Sequence, residues 1–115
     1  MADHQETDPT GAICVLTTIG DAEQAGALAR RLVEDRLIAC ANVIPAIRSI
    51  YRWQDGIEDD AEVLIIMKTR RSRFAELEAA LGEHHPYDVP EIVALPAAAV
   101  GASYLAWLQA EVPEG

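Results

Sequence analysis

Two adjacent histidines, His84 and His85, are the side chains best suited to hold a ligand. They lie in "GEHHPYDVPEIVALP", Gly82 to Pro96, beside three prolines, Tyr87 and the acids Asp88 and Glu91. Neutral imidazole is the commonest transition-metal ligand. Neighbouring residues diverge by about 100° on a helix and face opposite sides of a strand, so one chain cannot easily chelate with both. Two readings follow. In one, His84 and His85 bind copper or a similar divalent cation at a subunit boundary. In the other, His85 is a hydrogen-bonding turn residue before Pro86 and His84 sits on the surface.

Other candidates are weaker by spacing. Cys14 and Cys40 match no C-x-x-C metal pattern, and each reads as a small buried hydrophobe, Cys14 being a soft ligand only in principle. "MADH" at the N-terminus, once Met1 is removed, offers an amine, two backbone nitrogens and the His4 imidazole, a set suited to Cu(II) or Ni(II). "EDD", Glu58 to Asp60, reads as a solvated face that keeps a sheet edge from aggregating. "KTRRSR", Lys68 to Arg73, stands where a strand meets a helix N-terminus, as surface ion pairs or as a small-anion site. Tyr51, Tyr87, Asp88 and Glu91 have the chemistry for an acid-base pocket between subunits, although their spacing does not force one. No nucleophile elbow, P-loop, zinc-protease helix or Gly-rich dinucleotide turn is present, so the chain is expected not to be an enzyme.

Composition narrows the partners. The chain has 115 residues, half of them hydrophobic, which suits one domain with a real core. Nine basic against nineteen acidic residues give a net charge of −10, so a phosphate backbone would be repelled and nucleic acid is not expected. No apolar run approaches the roughly 20 residues that cross a bilayer, and "MADHQETDPTG" lacks the features of a signal peptide. The expectation is a cytoplasmic protein with reduced thiols, no membrane association, a disordered tail over 1–11 and one domain over 12–115.

These side chains need elements to position them. "AICVLTTI", Ala12 to Ile19, reads as a buried strand, and Asp21 caps a helix whose apolar face is Ala25, Leu28, Ala29, Leu32 and Val33, ending near Asp35. Ile38 to Trp53 is strand-like but would span roughly 50 Å at about 3.3 Å per residue, so a bulge or bend is expected at Pro45, with the second half projecting beyond the domain. Asp55-Gly56 suits a tight hairpin turn, and Ala61 to Thr69 returns. Ser72 is a candidate cap for a helix carrying Phe74, Leu77 and Leu81 and ending at Gly82. "EIVALP" forms a fourth strand, and Ser103 is a candidate cap for a final helix. The order β-α-β-β-α-β plus a helix is the α+β, ferredoxin-like split βαβ sandwich: a four-stranded antiparallel sheet with both main helices on one face. Its first and second strands flank the third, setting Cys14 and Cys40 roughly 9–10 Å apart, too far for a disulfide. Along the third strand Val63, Ile65 and Met67 point one way and Leu64 and Ile66 the other, so the face without helices needs a partner and a homo-oligomer is expected.

Several long motifs in one order make the chain resemble the CutA divalent-cation tolerance family. They are "LIACANVIP" with Cys40 and Pro45, "SIYRW" with Tyr51 and Trp53, "GIEDDAEVLIIMKT", "HPYDVPEI" and "YLAWL". The resemblance implies a tight homotrimer in which long hairpins exchange strand contacts, a link to tolerance of copper and other divalent metals, copper binding in some members, and no established reaction. It places the family's paired histidines at His84 and His85. The cysteine that joins them in copper-binding relatives is Thr17 here, with Cys14 nearby but not at that place; Arg52 replaces the middle residue of "YWW". A reading of another class is a trimeric signalling module, built like the nitrogen-signalling proteins, with a small anionic ligand in an inter-subunit cleft between "KTRRSR" and "HPYDVPE".

Overall fold

A computed structural model describes residues 10–114. The His4 nitrogen set and most of the expected tail lie outside the described residues. Thr10 and Gly11, expected in that tail, are tied to the domain: Thr10 Oγ1 accepts from the Ala12 N–H at 3.1 Å and the Gly11 carbonyl from the Arg71 N–H at 2.7 Å.

The elements are β1 (Ala12–Ile19), α1 (Ala22–Glu34), β2 (Cys40–Trp53), β3 (Gly56–Arg70), α2 (Phe74–His84), β4 (Val93–Pro96) and α3 (Ala102–Glu111). All strand pairs are antiparallel, in the order β2-β3-β1-β4. This is the expected α+β, ferredoxin-like split βαβ arrangement. Cys40 and Cys14 both stand opposite Lys68, one on each side of β3, and both thiols are free.

Helix α1 starts where Asp21, extended at φ −145°, turns its Oδ1 to accept from the Gln24 N–H at 2.8 Å. It ends in a Schellman motif. Arg36 takes φ 59°, its N–H bonds the Val33 carbonyl, and the Leu37 N–H bonds the Leu32 carbonyl, all without the usual glycine. The Arg36 guanidinium reaches the Glu111 carbonyl at 3.1 Å, fastening this corner to α3.

Three local expectations are corrected. The hairpin turn falls one residue earlier, on Gln54 and Asp55, because Trp53 pairs with Gly56 and it is Gln54 that takes φ 55°. Neither serine caps a helix: Ser72 lies inside a 3₁₀ turn, Arg71–Arg73, that leads into α2, and Ser103 lies inside α3 behind Gly101. Helix α2 runs through Gly82 and ends at His84, because Pro86 holds His85 in extended geometry at φ −77°, ψ 138°.

The bulge is where Pro45 demanded it. Pairing passes from Ile44 opposite Leu64 to Ile47 opposite Glu62, one extra residue on β2, at the place where a proline has no N–H to give. Beyond it the β2–β3 hairpin extends to a tip with Ile50 at 63% and Ile57 at 60% exposure.

The two faces of the sheet differ. Ile13, Val15, Ile19, Val63, Ile65 and Met67 are buried beneath Leu28 and Leu32 of α1 and Leu77 and Leu81 of α2. The opposite face, with Cys14, Leu16, Leu64 and Ile66, is covered at one end, where Leu108 and Val112 pack on Ala12 and Ala39. Val93 and Leu95 of β4 remain exposed beside it.

Candidate functional site

The connector after α2 builds a bonded relay across the end of the sheet. His85 is 6% exposed, and its ring faces two backbone groups: the Thr18 carbonyl, 2.8 Å from Nε2, and the Tyr87 N–H, 3.1 Å from Nδ1. A carbonyl can only accept and an N–H can only donate. The ring is therefore the neutral tautomer with its proton on Nε2, and neither nitrogen has a lone pair to spare. Tyr87 stacks edge-on with that ring, centroids 4.8 Å apart, and its hydroxyl donates to Glu62 Oε2 at 2.6 Å.

His84 leaves α2 in another direction. Its Nε2 lies 3.8 Å from the Glu83 carboxylate, and the ring borders a shallow hollow with Gln24, Leu28, Arg31 and Glu34 of α1. The two imidazoles thus serve different surroundings. Thr17 is fully buried on the helix-covered face, and its hydroxyl has no hydrogen-bond partner among the described residues. Cys14 belongs to the opposite face. No three His, Cys, Asp or Glu side chains among the described residues gather into a metal-binding set.

What the fold does assemble is a cleft of about 800 Å³ between the β2–β3 hairpin and the connector, lined in part by Tyr51, Trp53, Asp60, Glu62, Asp88 and Glu91. Tyr51, Tyr87, Asp88 and Glu91, the expected acid-base set, all border it. Tyr51 donates to Asp60 Oδ2 at 2.9 Å. That bond pushes the Tyr51 phenol up to about 12. Burial, and then the bond to Glu62, pushes Tyr87 above the ordinary phenol range. Both tyrosines are held as neutral donors to carboxylates.

Asp60 and Glu62 are the members of the site that sequence reasoning misses. Asp60 is hidden in the solvated "EDD" run, of which Asp59 does behave as solvated surface: it pairs with Arg48 at 2.7 and 2.8 Å, which holds its carboxyl below the usual range. Glu62 leaves one signal, an acid two residues before Leu64 and four before Ile66, on the same side of an otherwise apolar strand.

The basic segment lies at the other end of the sheet. Arg70 donates to the Val112 carbonyl at 2.9 Å and reaches Glu114 at 3.2 Å; Arg73 lies 3.1 Å from Glu76; Lys68 donates to Asn42. These are the ion pairs and carbonyl clamps of a surface that binds its own C-terminus. Ala12 is opposite Arg70 and Thr18 opposite Leu64, so within one protomer about 20 Å of strand separates this cluster from the cleft.

Residues 13–111 match the family described as CutA1 divalent ion tolerance protein. The chain belongs to the CutA1 family. It is 46% identical over 95 residues to the divalent-cation tolerance protein CutA of Thermus thermophilus, covering 83% of this chain and 92% of that one. It is 38% identical to the chloroplastic CutA of Arabidopsis thaliana, covering 95% of this chain but 59% of that longer protein. The crystal structure of CutA1 from Oryza sativa superposes with a TM-score of 0.88 at 37% identity, over 96% of this chain and 99% of that one. CutA1 relatives with this fold thus carry names of divalent-cation tolerance. No helix among the described residues is long and apolar enough to cross a membrane.

Proposed function

We propose that this CutA1 chain works as a non-enzymatic homotrimer in divalent-ion tolerance, binding copper or a similar divalent cation weakly through His84 and His85 near a subunit boundary. The family match over residues 13–111 carries the reading. The trimer is supported by the sheet face that α3 covers only at one end, and by the outer edges of β2 and β4, which have no strand partner among the described residues. Within the pair the roles are unequal. His84 supplies the accessible imidazole, whereas His85 binds metal only if Thr18 or Tyr87 is released. Weak affinity follows from that competition and from the missing third ligand, since Thr17 stands where copper-binding relatives have a cysteine. A cytoplasmic location is part of the reading and suits the free thiols of Cys14 and Cys40.

The test is a Cu(II) titration of the full chain, followed by calorimetry, with light scattering for the mass. We expect a trimer mass, and weaker copper binding in the His84→Ala/His85→Ala variant. His4→Ala serves as the control for the N-terminal nitrogen set. Unchanged affinity in the double variant removes both histidines from the site; a monomeric mass removes the trimer.

A further inference from the structure

Three arginines from three parts of the fold close on the last described residues. Arg36, just past α1, donates to the Glu111 carbonyl at 3.1 Å; Arg70 of β3 donates to the Val112 carbonyl at 2.9 Å; Arg73, at the start of α2, donates to the Pro113 carbonyl at 3.4 Å. Successive carbonyls thus have a clamp each. Two carboxylates tighten the set, Glu111 on Arg36 at 3.3 Å and Glu114 on Arg70 at 3.2 Å. Bonds to a guanidinium are charge-assisted, and here they fall at the end of α3, where helix carbonyls lack intrahelical donors.

The helix they hold is otherwise lightly attached. It is 10 residues long, too short to persist without packing, and Gly101 gives its first turn no side-chain cap. Its apolar contacts form a small core of their own, Leu105, Leu108 and Val112 on Ala12, Ala39 and Ala97, apart from the main core under α1 and α2. A floor of alanines buries little area. Next to that floor stand Cys14 and Cys40, one on each side of Lys68. Burial, then the adjoining thiols of Cys40 and Cys14, push the Tyr104 phenol above its ordinary value, which places this side chain of α3 at both thiols. We propose that α3 and the residues behind it form a lid latched by Arg36, Arg70 and Arg73: it lifts as a unit while the main core stays folded, and its opening controls the reach of soft electrophiles to Cys14 and Cys40. Only the small core and the clamps have to break, so opening needs less free energy than global unfolding. All these contacts lie within one chain, at the end of the sheet that α3 covers and away from the open part left for a second copy. The lid uses neither His84 nor His85, so it does not rest on the metal reading.

The test is amide hydrogen exchange of the full chain, read by mass spectrometry, together with the rate of maleimide addition at Cys14 and Cys40. In the unaltered chain the α3 amides are expected to exchange roughly tenfold or more faster than those of β1, and to respond less to urea, because a local opening exposes less surface. Arg36→Met and Arg70→Met keep an aliphatic stem without a donor. Each is expected to speed both α3 exchange and thiol addition about tenfold, the scale of one lost charge-assisted bond. Arg31→Met removes a guanidinium from the exposed face of α1 and is expected to change neither. Ile65→Val, in the main core, separates lid opening from global unfolding. It weakens the closed and the open form alike, so it is expected to speed β1 exchange about fivefold and leave α3 exchange unchanged. Four results overturn the proposal. They are one common rate for α3 and β1, equal acceleration of both by Ile65→Val, no acceleration of α3 in either of the Arg36 and Arg70 variants, and thiol addition that does not follow α3 exchange.

Discussion

The two ends of the sheet carry opposite charges and use them differently. At the basic end, Arg70 and Arg73 close on backbone carbonyls and on Glu114 and Glu76, so the guanidinium groups secure the last residues to β3 and to the start of α2. At the acidic end, Glu62 and Asp60 accept hydrogen bonds from the Tyr87 and Tyr51 hydroxyls. Availability is what separates the two. A basic run in a sequence draws attention as an anion site, yet Arg70 and Arg73 are engaged inside the chain, whereas Asp60 and Glu62, which resemble ordinary solvated surface, have no ion-pair partner among the described residues. Net charge describes the whole molecule; which charges can still act on a ligand depends on their neighbours.

The largest expected effect divides the adjacent histidines. His85→Ala removes an imidazole that satisfies two backbone groups and leaves a hole beneath the connector. We expect a loss of about 2–4 kcal/mol in urea unfolding, from the unpaired Thr18 carbonyl and Tyr87 N–H together with lost packing. His84→Ala, on a partly exposed ring that lies 3.8 Å from the Glu83 carboxylate, is expected to stay within about 0.5 kcal/mol of the unaltered chain. Equal losses in the two variants erase the distinction between a framework histidine and an available one.

Much of this organisation is legible in the sequence alone. The strand and helix order follows from periodicities of two and of three to four, and Pro45 announces the bulge because a missing N–H cannot be hidden in a ladder. The local departures share a cause, which is that backbone geometry is set by neighbours as much as by the residue itself. Gln54 adopts a left-handed conformation that its side chain does not advertise, and α2 begins through a 3₁₀ turn that needs no capping serine. Gly82 resembles a helix stop, but Pro86 acts through His85 and moves the end two residues on. The histidine pair is conspicuous as a motif, and in the fold the two rings have different surroundings, His85 between the Thr18 carbonyl and the Tyr87 N–H and His84 beside Glu83. Tyr51, Tyr87, Asp88 and Glu91 are recognisable as reactive types. That they meet Asp60 and Glu62 is not, because the contact joins two strands and a connector across a register shift, and no local spacing encodes such a meeting.

A smaller effect tests how the acidic end is held. Tyr87→Phe takes away the hydroxyl donor to Glu62 and is expected to destabilise the chain by roughly 1–2 kcal/mol. Glu62→Gln keeps an acceptor oxygen for that hydroxyl and should cost less, which the two denaturation midpoints can show. Should Glu62→Gln prove the more damaging, the carboxylate charge matters in the unliganded chain and a cation from a second copy is its most direct explanation. Alkaline titration adds a sign. The phenols of Tyr51, Tyr87 and Tyr104 are all raised, Tyr51 chiefly by its bond to Asp60, Tyr87 and Tyr104 chiefly by burial. A folded-state value above the unfolded one gives stability that is complete below about pH 10 and is lost as pH rises through the folded values. Absorbance at the tyrosinate band is therefore expected to stay low at about pH 10 and to rise together with unfolding above it. A half-ionised signal at that pH with the fold intact contradicts the tyrosine–carboxylate bonds.

The smallest effect is expected from Thr17, and its direction is the informative part. Its Oγ1 is fully buried beneath the helices without a hydrogen-bond partner among the described residues, so the hydroxyl has lost its water and gained nothing in return. Valine has nearly the same shape and no such atom. Thr17→Val should therefore raise stability by about 1 kcal/mol, with a higher melting temperature and an unchanged denaturant slope. If Thr17→Val destabilises instead, the hydroxyl has a partner after all, such as an internal water. Thr17 would then join His85 and Tyr87 among the polar groups that hold this end of the sheet, and the contrast between the apolar helix-covered face and the polar cleft beside it would be weaker than it now stands.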